Sequence, residues 1–363
     1  MKEEVKLMKG NEAIAHAAMR CGCDGYFGYP ITPQTEIMET LMENEPWKTT
    51  GMVVLQAESE VAAINMVYGG AGCGKKVMTS SSSPGMSLKQ EGISYMAGAN
   101  LPAVIVSVMR GGPGLGTIQP SQADYFQTVK GGGHGDYKMI TLAPASVQEM
   151  ADFTVLAFEL AFKYNIVCVI LADGIIGQMM EKVVLPPFQP RLTNEEIKQK
   201  YPWATTGKTP DRKRNVITSL ELDSALMEQR NIDLQKKYHL IEENEVRIEE
   251  INCKDAEYLL IAFGASARIC QKVIELAREE GIKLGLLRPI TLFPFPTKII
   301  KNHTEKLKGI LTVELNAGQM VEDVRLAVNG KIPVEHFGRM GGIVPTVEEV
   351  LDATKNLIAN IQK

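Results

Sequence analysis

At 363 residues the chain is long enough for about two domains, each with a core of its own. Hydrophobic residues at 45% and charged residues at 23% are the balance of an ordinary globular protein, and a net charge of −4 gives no electrostatic case for nucleic acid. No apolar run reaches the length of a membrane span, and no basic patch is interleaved with aromatics, so neither membrane nor nucleic acid is expected as a partner.

The chain opens Met1-Lys2-Glu3-Glu4, too charged for a secretion signal, and the reading is a cytoplasmic protein. From residue 9 to about 185, apolar strands alternate with amphipathic helices. A first strand ends at Tyr26-Phe27-Gly28 and runs into Tyr29-Pro30-Ile31-Thr32-Pro33. Each proline fixes its own φ and biases the residue before it toward extended geometry. The Thr32 hydroxyl is thereby held on a stiff loop at the carboxyl end of a strand, where open parallel sheets bind ligands. The competing use of this stretch is a helix N-cap at Thr32 or Thr35.

Further strands are predicted at Met52 to Leu55, Lys76 to Thr79, Ala103 to Val108, Met139 to Leu142 and Ile166 to Leu171. Helical patterns fill Glu58 to Gly69, Gly85 to Ala97 and Ser146 to Phe162. Strands apolar throughout, alternating with helices, imply a doubly wound parallel sheet covered on both faces. After the second strand, Gln56-Ala57-Glu58-Ser59-Glu60 puts two carboxylates in a helical first turn, where they favour the helix dipole or reach a cleft at the sheet edge. Thr79-Ser80-Ser81-Ser82-Ser83-Pro84-Gly85 places hydroxyls at a helix start, suited to a polar ligand group or to a plain serine cap.

Arg110 ends the next strand and enters Gly111-Gly112-Pro113-Gly114-Leu115-Gly116. A guanidinium there can offer a carboxylate two parallel hydrogen bonds, or can form a surface ion pair. The loop is not a dinucleotide fingerprint, because a proline interrupts it. Gly131 to Asp136 is a second flexible loop, with His134 a candidate pocket or lid residue. The cysteines, Cys21, Cys23, Cys73, Cys168, Cys253 and Cys270, lack the recurring spacing of a cluster or zinc site, so no metal ligand is assigned.

Composition changes at Leu185 to Pro190. The division read from sequence is a first domain at 1–190, a charged helical connector at 191–250 and a second α/β domain at 251–363. Thr218 to Glu249 reads as one long helix or two, with apolar positions Leu222, Leu226, Ile232 and Leu240. The second domain carries strands at Tyr258 to Phe263, Leu284 to Leu287, Gly309 to Glu314 and Pro333 to Phe337, and helices at Ala265 to Glu280, Gln319 to Val328 and Val347 to Ile361.

Taken together, YPITP at 29–33, SEVAA at 59–63, SSSPG at 81–85, RGGPGLG at 110–116 and ADG at 172–174 resemble the α subunit of the 2-oxoacid:ferredoxin oxidoreductases, a thiamine-diphosphate family. GLLRPITLFPFP at 285–296 and VELNAGQM at 313–320 resemble the transketolase C-terminal domain, so the resemblance spans nearly the whole chain. RGGPGLG and KGGGHGDY are most similar to the branched-chain, 2-oxoisovalerate type. The resemblance implies a pyrimidine-binding first domain and residue roles on matching positions. Glu60 matches the glutamate that hydrogen-bonds the aminopyrimidine ring, Thr32 a contact to substrate and cofactor, and Arg110 the partner of the oxoacid carboxylate. Pro30, Ser83 and Pro84 join the cofactor side and Tyr29 the substrate side. The choice of Glu60 over Glu58 rests on this resemblance.

Ser83 stands where relatives commonly have glycine, and Gln119 about where some have threonine. Ala172-Asp173-Gly174 lacks the spaced asparagine of the metal-diphosphate motif. The resemblance therefore places the diphosphate and its Mg²⁺ on a β subunit, and the iron–sulfur clusters on γ and ferredoxin-like subunits. It implies oxidative decarboxylation of a 2-oxoacid to an acyl-CoA, with coenzyme A as co-substrate and external ferredoxin as acceptor. Pyruvate or 2-oxoglutarate as substrate, or a scaffold subunit without catalysis, are the alternatives.

Overall fold

The computed structural model describes residues 4–208, 210 and 213–362. In chain order the first half runs β1 (Val5–Lys9), α1 (Gly10–Arg20), β2 (Gly25–Gly28), α2 (Thr35–Asn44), α3 (Pro46–Thr49), β3 (Val53–Gln56), α4 (Glu60–Gly72), β4 (Val77–Ser81), α5 (Ser83–Gly98) and β5 (Ala103–Met109). It continues with α6 (Tyr125–Val129), β6 (Ile140–Leu142), α7 (Val147–Tyr164), β7 (Val167–Asp173), α8 (Gly174–Gln178), β8 (Met180–Val184), α9 (Asn194–Lys200) and α10 (Ser224–Asn244). The remainder is β9 (Ile248–Ile251), β10 (Tyr258–Ile261), α11 (Gly264–Glu279), β11 (Leu284–Pro289), β12 (Thr291–Phe293), α12 (Thr297–His303), β13 (Gly309–Glu314), α13 (Met320–Val328), β14 (Val334–Gly338) and α14 (Val347–Ile361).

The main sheet has the strand order β12-β6-β7-β5-β4-β2-β3. Its central strands β4, β5 and β7 are buried along their whole length, which is why they read as unbroken rather than alternating patterns. The strands from β6 to β3 are parallel, so the loops after β2, β3, β4 and β5 leave from one edge. One departure from the all-parallel expectation is β12, which pairs antiparallel with β6. Between Pro289 and Pro294 it is too short to show a strand period.

The second sheet, β14-β13-β10-β11-β9, is parallel except for the antiparallel edge strand β9. β1 and β8 form a separate antiparallel ribbon that the sequence reading did not include. The polar stretch resolves into a single helix, α10, capped by the Asp223 carboxylate, and Ile248–Ile251 is strand rather than helix. Its inward face is Leu234, Tyr238 and Ile241, spaced four and three; Leu222, Leu226, Ile232 and Leu240 are exposed. Charge density hid that short apolar stripe.

The two larger sheets meet through a buried polar knot centred on Gln122, which is fully buried. Its side-chain nitrogen donates to Phe263 O at 2.9 Å and Asp173 Oδ2 at 3.2 Å. Its oxygen accepts from Ser266 Oγ at 3.0 Å and Leu315 N at 3.1 Å. Asp173 also caps α8 and accepts from Ala265 N at 2.8 Å, so its role here is structural.

Candidate active site

Four adjacent strands, β5, β4, β2 and β3, each deliver one candidate residue from the same sheet edge: Arg110, Ser83, Thr32 and Glu60. Chain order reverses between β2 and β4, the kind of position where open α/β sheets form a ligand crevice.

Thr32 lies on an exposed loop with Tyr29, while Pro30 is half-buried. The helix-cap alternative is not realised, because Gln34 occupies the cap position of α2 and Thr35 is its first helical residue. Gln34 instead braces the loop, donating to Tyr29 O at 3.1 Å and accepting from the buried Ser80 hydroxyl. Ser80 in turn pairs with Tyr26 OH at 2.6 Å, so the loop stands on a buried polar chain.

Glu60 is the first residue of α4, whose cap is the Ser59 hydroxyl accepting from Ala62 N. Although charged, Glu60 is only 7% exposed. Among the described residues nothing hydrogen-bonds its carboxylate. A Cβ at Gly85 would collide with Ser81 Oγ and come within 2.6 Å of Glu60 Oε1, so the start of α5 is bare of side chain against the carboxylate. Ser81 Oγ and Ser82 Oγ are also buried without partners. Glu58, by contrast, is exposed and meets Ser59 Oγ at 3.3 Å. Burial therefore separates the two glutamates that sequence alone leaves equivalent.

Behind Glu60 stands Lys89, fully buried, with its ammonium 3.4 Å from the Glu60 carbonyl oxygen. Burial pulls it down to about 8, against the opposing pull of the Glu60 charge. Gly85, Lys89 and Gly92 form one face of α5 against Glu60 and Ile64 of α4. A lysine on that otherwise small-residue face was the sequence signal for it, and it went unread.

Arg110 is 6% exposed and makes no ion pair among the described residues, which removes the surface-pair reading. Its guanidinium donates to Thr32 O at 3.0 Å and Leu115 O at 2.9 Å, and Nε is buried without a partner. The glycine-rich loop thus folds back over its own arginine, closed by Thr117 N donating to Gly111 O at 2.8 Å and Gly111 N to Gln119 O at 2.9 Å. Ser83 ties this loop to α5, accepting from Arg110 N at 3.1 Å and donating to Asp124 Oδ2 at 2.5 Å. Burial pushes the Asp124 carboxyl up to about 6, with the Ser83 bond opposing.

Beside this cluster a cleft of about 520 Å³ opens, bordered by Ser83, Pro113, Asp124, Leu315, Gln319 and Met340. His134 is not part of the cluster. It lines a different groove, with Tyr95, Leu220 and Arg230, under α10.

A doubly wound α/β chain that gathers a buried glutamate, a buried arginine and a braced Thr-Pro loop at one switch point belongs to the ligand-binding α/β proteins. Residues 16–249 match the family described as pyruvate flavodoxin/ferredoxin oxidoreductase, thiamine diphosphate-binding, and residues 256–350 match pyruvate:ferredoxin oxidoreductase core domain II. The chain belongs to this oxidoreductase family. It is 51% identical to the ketoisovalerate oxidoreductase subunit VorB of Methanothermobacter marburgensis, over 95% of this chain and 96% of that one. It is 35% identical to the 2-oxoglutarate synthase subunit KorA of Archaeoglobus fulgidus, over 93% of this chain and 96% of that one. The solved 2-oxoglutarate:ferredoxin oxidoreductase of Magnetococcus marinus, with 2-oxoglutarate, coenzyme A and succinyl-CoA bound, shares the fold at a TM-score of 0.84 and 24% identity, covering 98% of this chain and 66% of that one. A split-gene transketolase shares it at a TM-score of 0.61 and 12% identity, over 97% of this chain and 98% of that one.

Proposed function

We propose that this chain is the α-type subunit of a cytoplasmic thiamine-diphosphate-dependent 2-oxoacid:ferredoxin oxidoreductase that converts a branched 2-oxoacid, 2-oxoisovalerate first, to its acyl-CoA. The observation that carries the reading is Arg110, a buried guanidinium with no anion beside it among the described residues and its Nε–H unsatisfied. Burying a cation without a counter-charge is costly, and a substrate carboxylate supplies the missing partner. Thr32 shares that site directly, because its carbonyl holds the Arg110 fork.

The residues present fit thiamine diphosphate: a buried carboxylate without a hydrogen-bond partner among the described residues faces a helix start that only glycine leaves open. When bound, this cofactor supplies the carbon nucleophile that adds to the oxo group and retains the electrons left by decarboxylation. Glu60 would hold the pyrimidine ring through its nitrogen and keep a proton at that position, and Ser83, Pro84 and Pro30 would wall the same edge. Lys89 gives Glu60 a buried opposite charge.

The diphosphate and Mg²⁺ are assigned to a β subunit, and the iron–sulfur relay to γ and ferredoxin-like subunits that pass electrons to external ferredoxin. Exposed Tyr29, Val61, Met66 and Leu88 around the Glu60 edge suit coverage by such a partner. The preference for 2-oxoisovalerate follows the 51% identity to the ketoisovalerate subunit over the 35% identity to the 2-oxoglutarate subunit.

The test is the complex co-expressed with its partner subunits, assayed with coenzyme A and a low-potential acceptor against pyruvate, 2-oxoglutarate and branched 2-oxoacids. The highest kcat/KM is expected with 2-oxoisovalerate. No oxoacid-dependent reduction, or a preference for 2-oxoglutarate, would overturn the respective half of the proposal.

A further inference from the structure

Ser83 Oγ sits among three polar atoms but owns a single hydrogen. It accepts from Arg110 N at 3.1 Å, and lies 2.5 Å from Asp124 Oδ2 and 3.2 Å from Arg110 O. The Arg110 N–H can only donate, so one lone pair of Ser83 is committed. Its hydrogen must then choose between the Asp124 carboxylate and the Arg110 carbonyl. A charged acceptor at the shorter distance wins. The Arg110 carbonyl is then left without a donor among the described residues.

We propose that Asp124 is a positioning residue for Arg110, acting through the direction of the Ser83 hydroxyl. The inference rests on Arg110 being the partner of the oxoacid carboxylate. When Asp124 takes a proton from water in the adjoining cleft, its own O–H donates to Ser83 Oγ. The Ser83 hydrogen then turns to the Arg110 carbonyl, and one hydroxyl holds both backbone polar groups of Arg110. Nothing is oxidised or reduced; one proton is gained and one hydroxyl rotates.

The groups packed around Asp124 leave this exchange to Asp124 itself. α5 offers Ser83 and Ser87, with Lys89 turned toward Glu60. The loop after β5 offers Arg110, reached only through Ser83. The segment after β13 offers Asn316 and Gln319, and Glu314 behind them is held by Met320 N and Val321 N with His336 at 3.5 Å. Beyond α6, Lys130 pairs with Asp323, which also accepts from Tyr125 OH. Because burial brings the Asp124 carboxyl up to about 6, both arrangements are populated near neutral pH.

The experiment measures KM and kcat for the preferred oxoacid between pH 5 and 8 in the co-expressed complex, for the wild type, Asp124→Asn, Ser83→Ala and Arg110→Lys. In the wild type KM should rise about three- to tenfold as pH climbs through the Asp124 transition, the worth of one neutral hydrogen bond. Asp124→Asn, whose amide donates to Ser83 at every pH, should remove that rise and stay at the low-KM limit. Ser83→Ala should be flat at or above the high-KM limit. A profile for Asp124→Asn parallel to the wild type, or an effect confined to kcat, overturns the proposal. If Arg110→Lys leaves KM unmoved at every pH, the reading of Arg110 itself is wrong. If it raises KM while Asp124→Asn still parallels the wild type, only the positioning role fails.

Discussion

Replacing Glu60 by glutamine removes a negative charge at a position that is only 7% exposed, while keeping the side chain's shape. Two consequences follow from the surroundings. The amide cannot keep a proton on the pyrimidine nitrogen as a carboxyl can, and loss of general acid–base work of this kind is roughly 10²–10⁴-fold, or about 3–5 kcal/mol of barrier. Lys89, fully buried, also loses its opposing charge, so its ammonium becomes less favourable still and tends toward the neutral amine. Glu58→Gln is the internal control. That carboxylate is exposed and touches only the neighbouring Ser59, so its loss should change activity by less than about twofold. The assay is oxoacid-dependent reduction of a low-potential acceptor by the co-expressed complex, with size-exclusion chromatography confirming assembly. Full activity in Glu60→Gln with a large loss in Glu58→Gln would refute the reasoning and exchange the two roles.

Arg110→Lys should raise KM for the oxoacid at least about tenfold with a smaller effect on thiamine diphosphate affinity, since an ammonium cannot span both Thr32 O and Leu115 O and still meet a carboxylate; steady-state kinetics and cofactor titration separate the two. Gln122→Leu strands Ser266 Oγ and Leu315 N in a buried interface, a loss of about 2–6 kcal/mol at roughly 1–3 per orphaned group, read as a lower midpoint in thermal unfolding. Asp124 has a folded pKa raised to about 6 above its unfolded value, so it withdraws stability once pH exceeds that range and withdraws none below the unfolded value. Asp124→Asn should therefore stabilise the protein by about 2–3 kcal/mol at pH 7–8 and by little at pH 4, measured as the difference between two unfolding series.

The sheet edge that carries the site was legible because β4 and β5 are buried along their whole length and each of its four strands ends in an unusual loop, even though the edge strand β3 is largely exposed. Periodicity placed β13 and α14 on their observed residues, and most other boundaries within a few positions. Where the reading fell short, the cause was a pairing partner far away in sequence. β1 and β8 are separated by most of the first half of the chain, and β12 is three residues long, so neither announces itself locally. The same holds for side chains. Glu58 and Glu60 look alike in sequence, and only the helix carrying Gly85 and Lys89 makes one of them a buried carboxylate. Arg110 reads as a cation at a strand end; that its own glycine loop closes over it is a property of backbone hydrogen bonds that composition does not encode.

The short strand β12 has a mechanical meaning. By inserting Thr291 and Phe293 beside Leu142 and Thr141, the C-terminal part of the chain is stitched into the sheet that bears the site, an attachment additional to the Gln122 knot. Two separated fasteners remove the freedom of a hinge. Any traffic through the cleft must then be managed by its lining segments, Gly112 to Gly114 and Met340 to Gly341, where Gly114 and Gly341 hold left-handed backbone angles. The stitch also shields the outer edge of β6. A chain cut near residue 250 would leave that edge open, with unpaired amides ready to recruit a strand from another molecule, so the two halves are poor candidates for separation into independent parts.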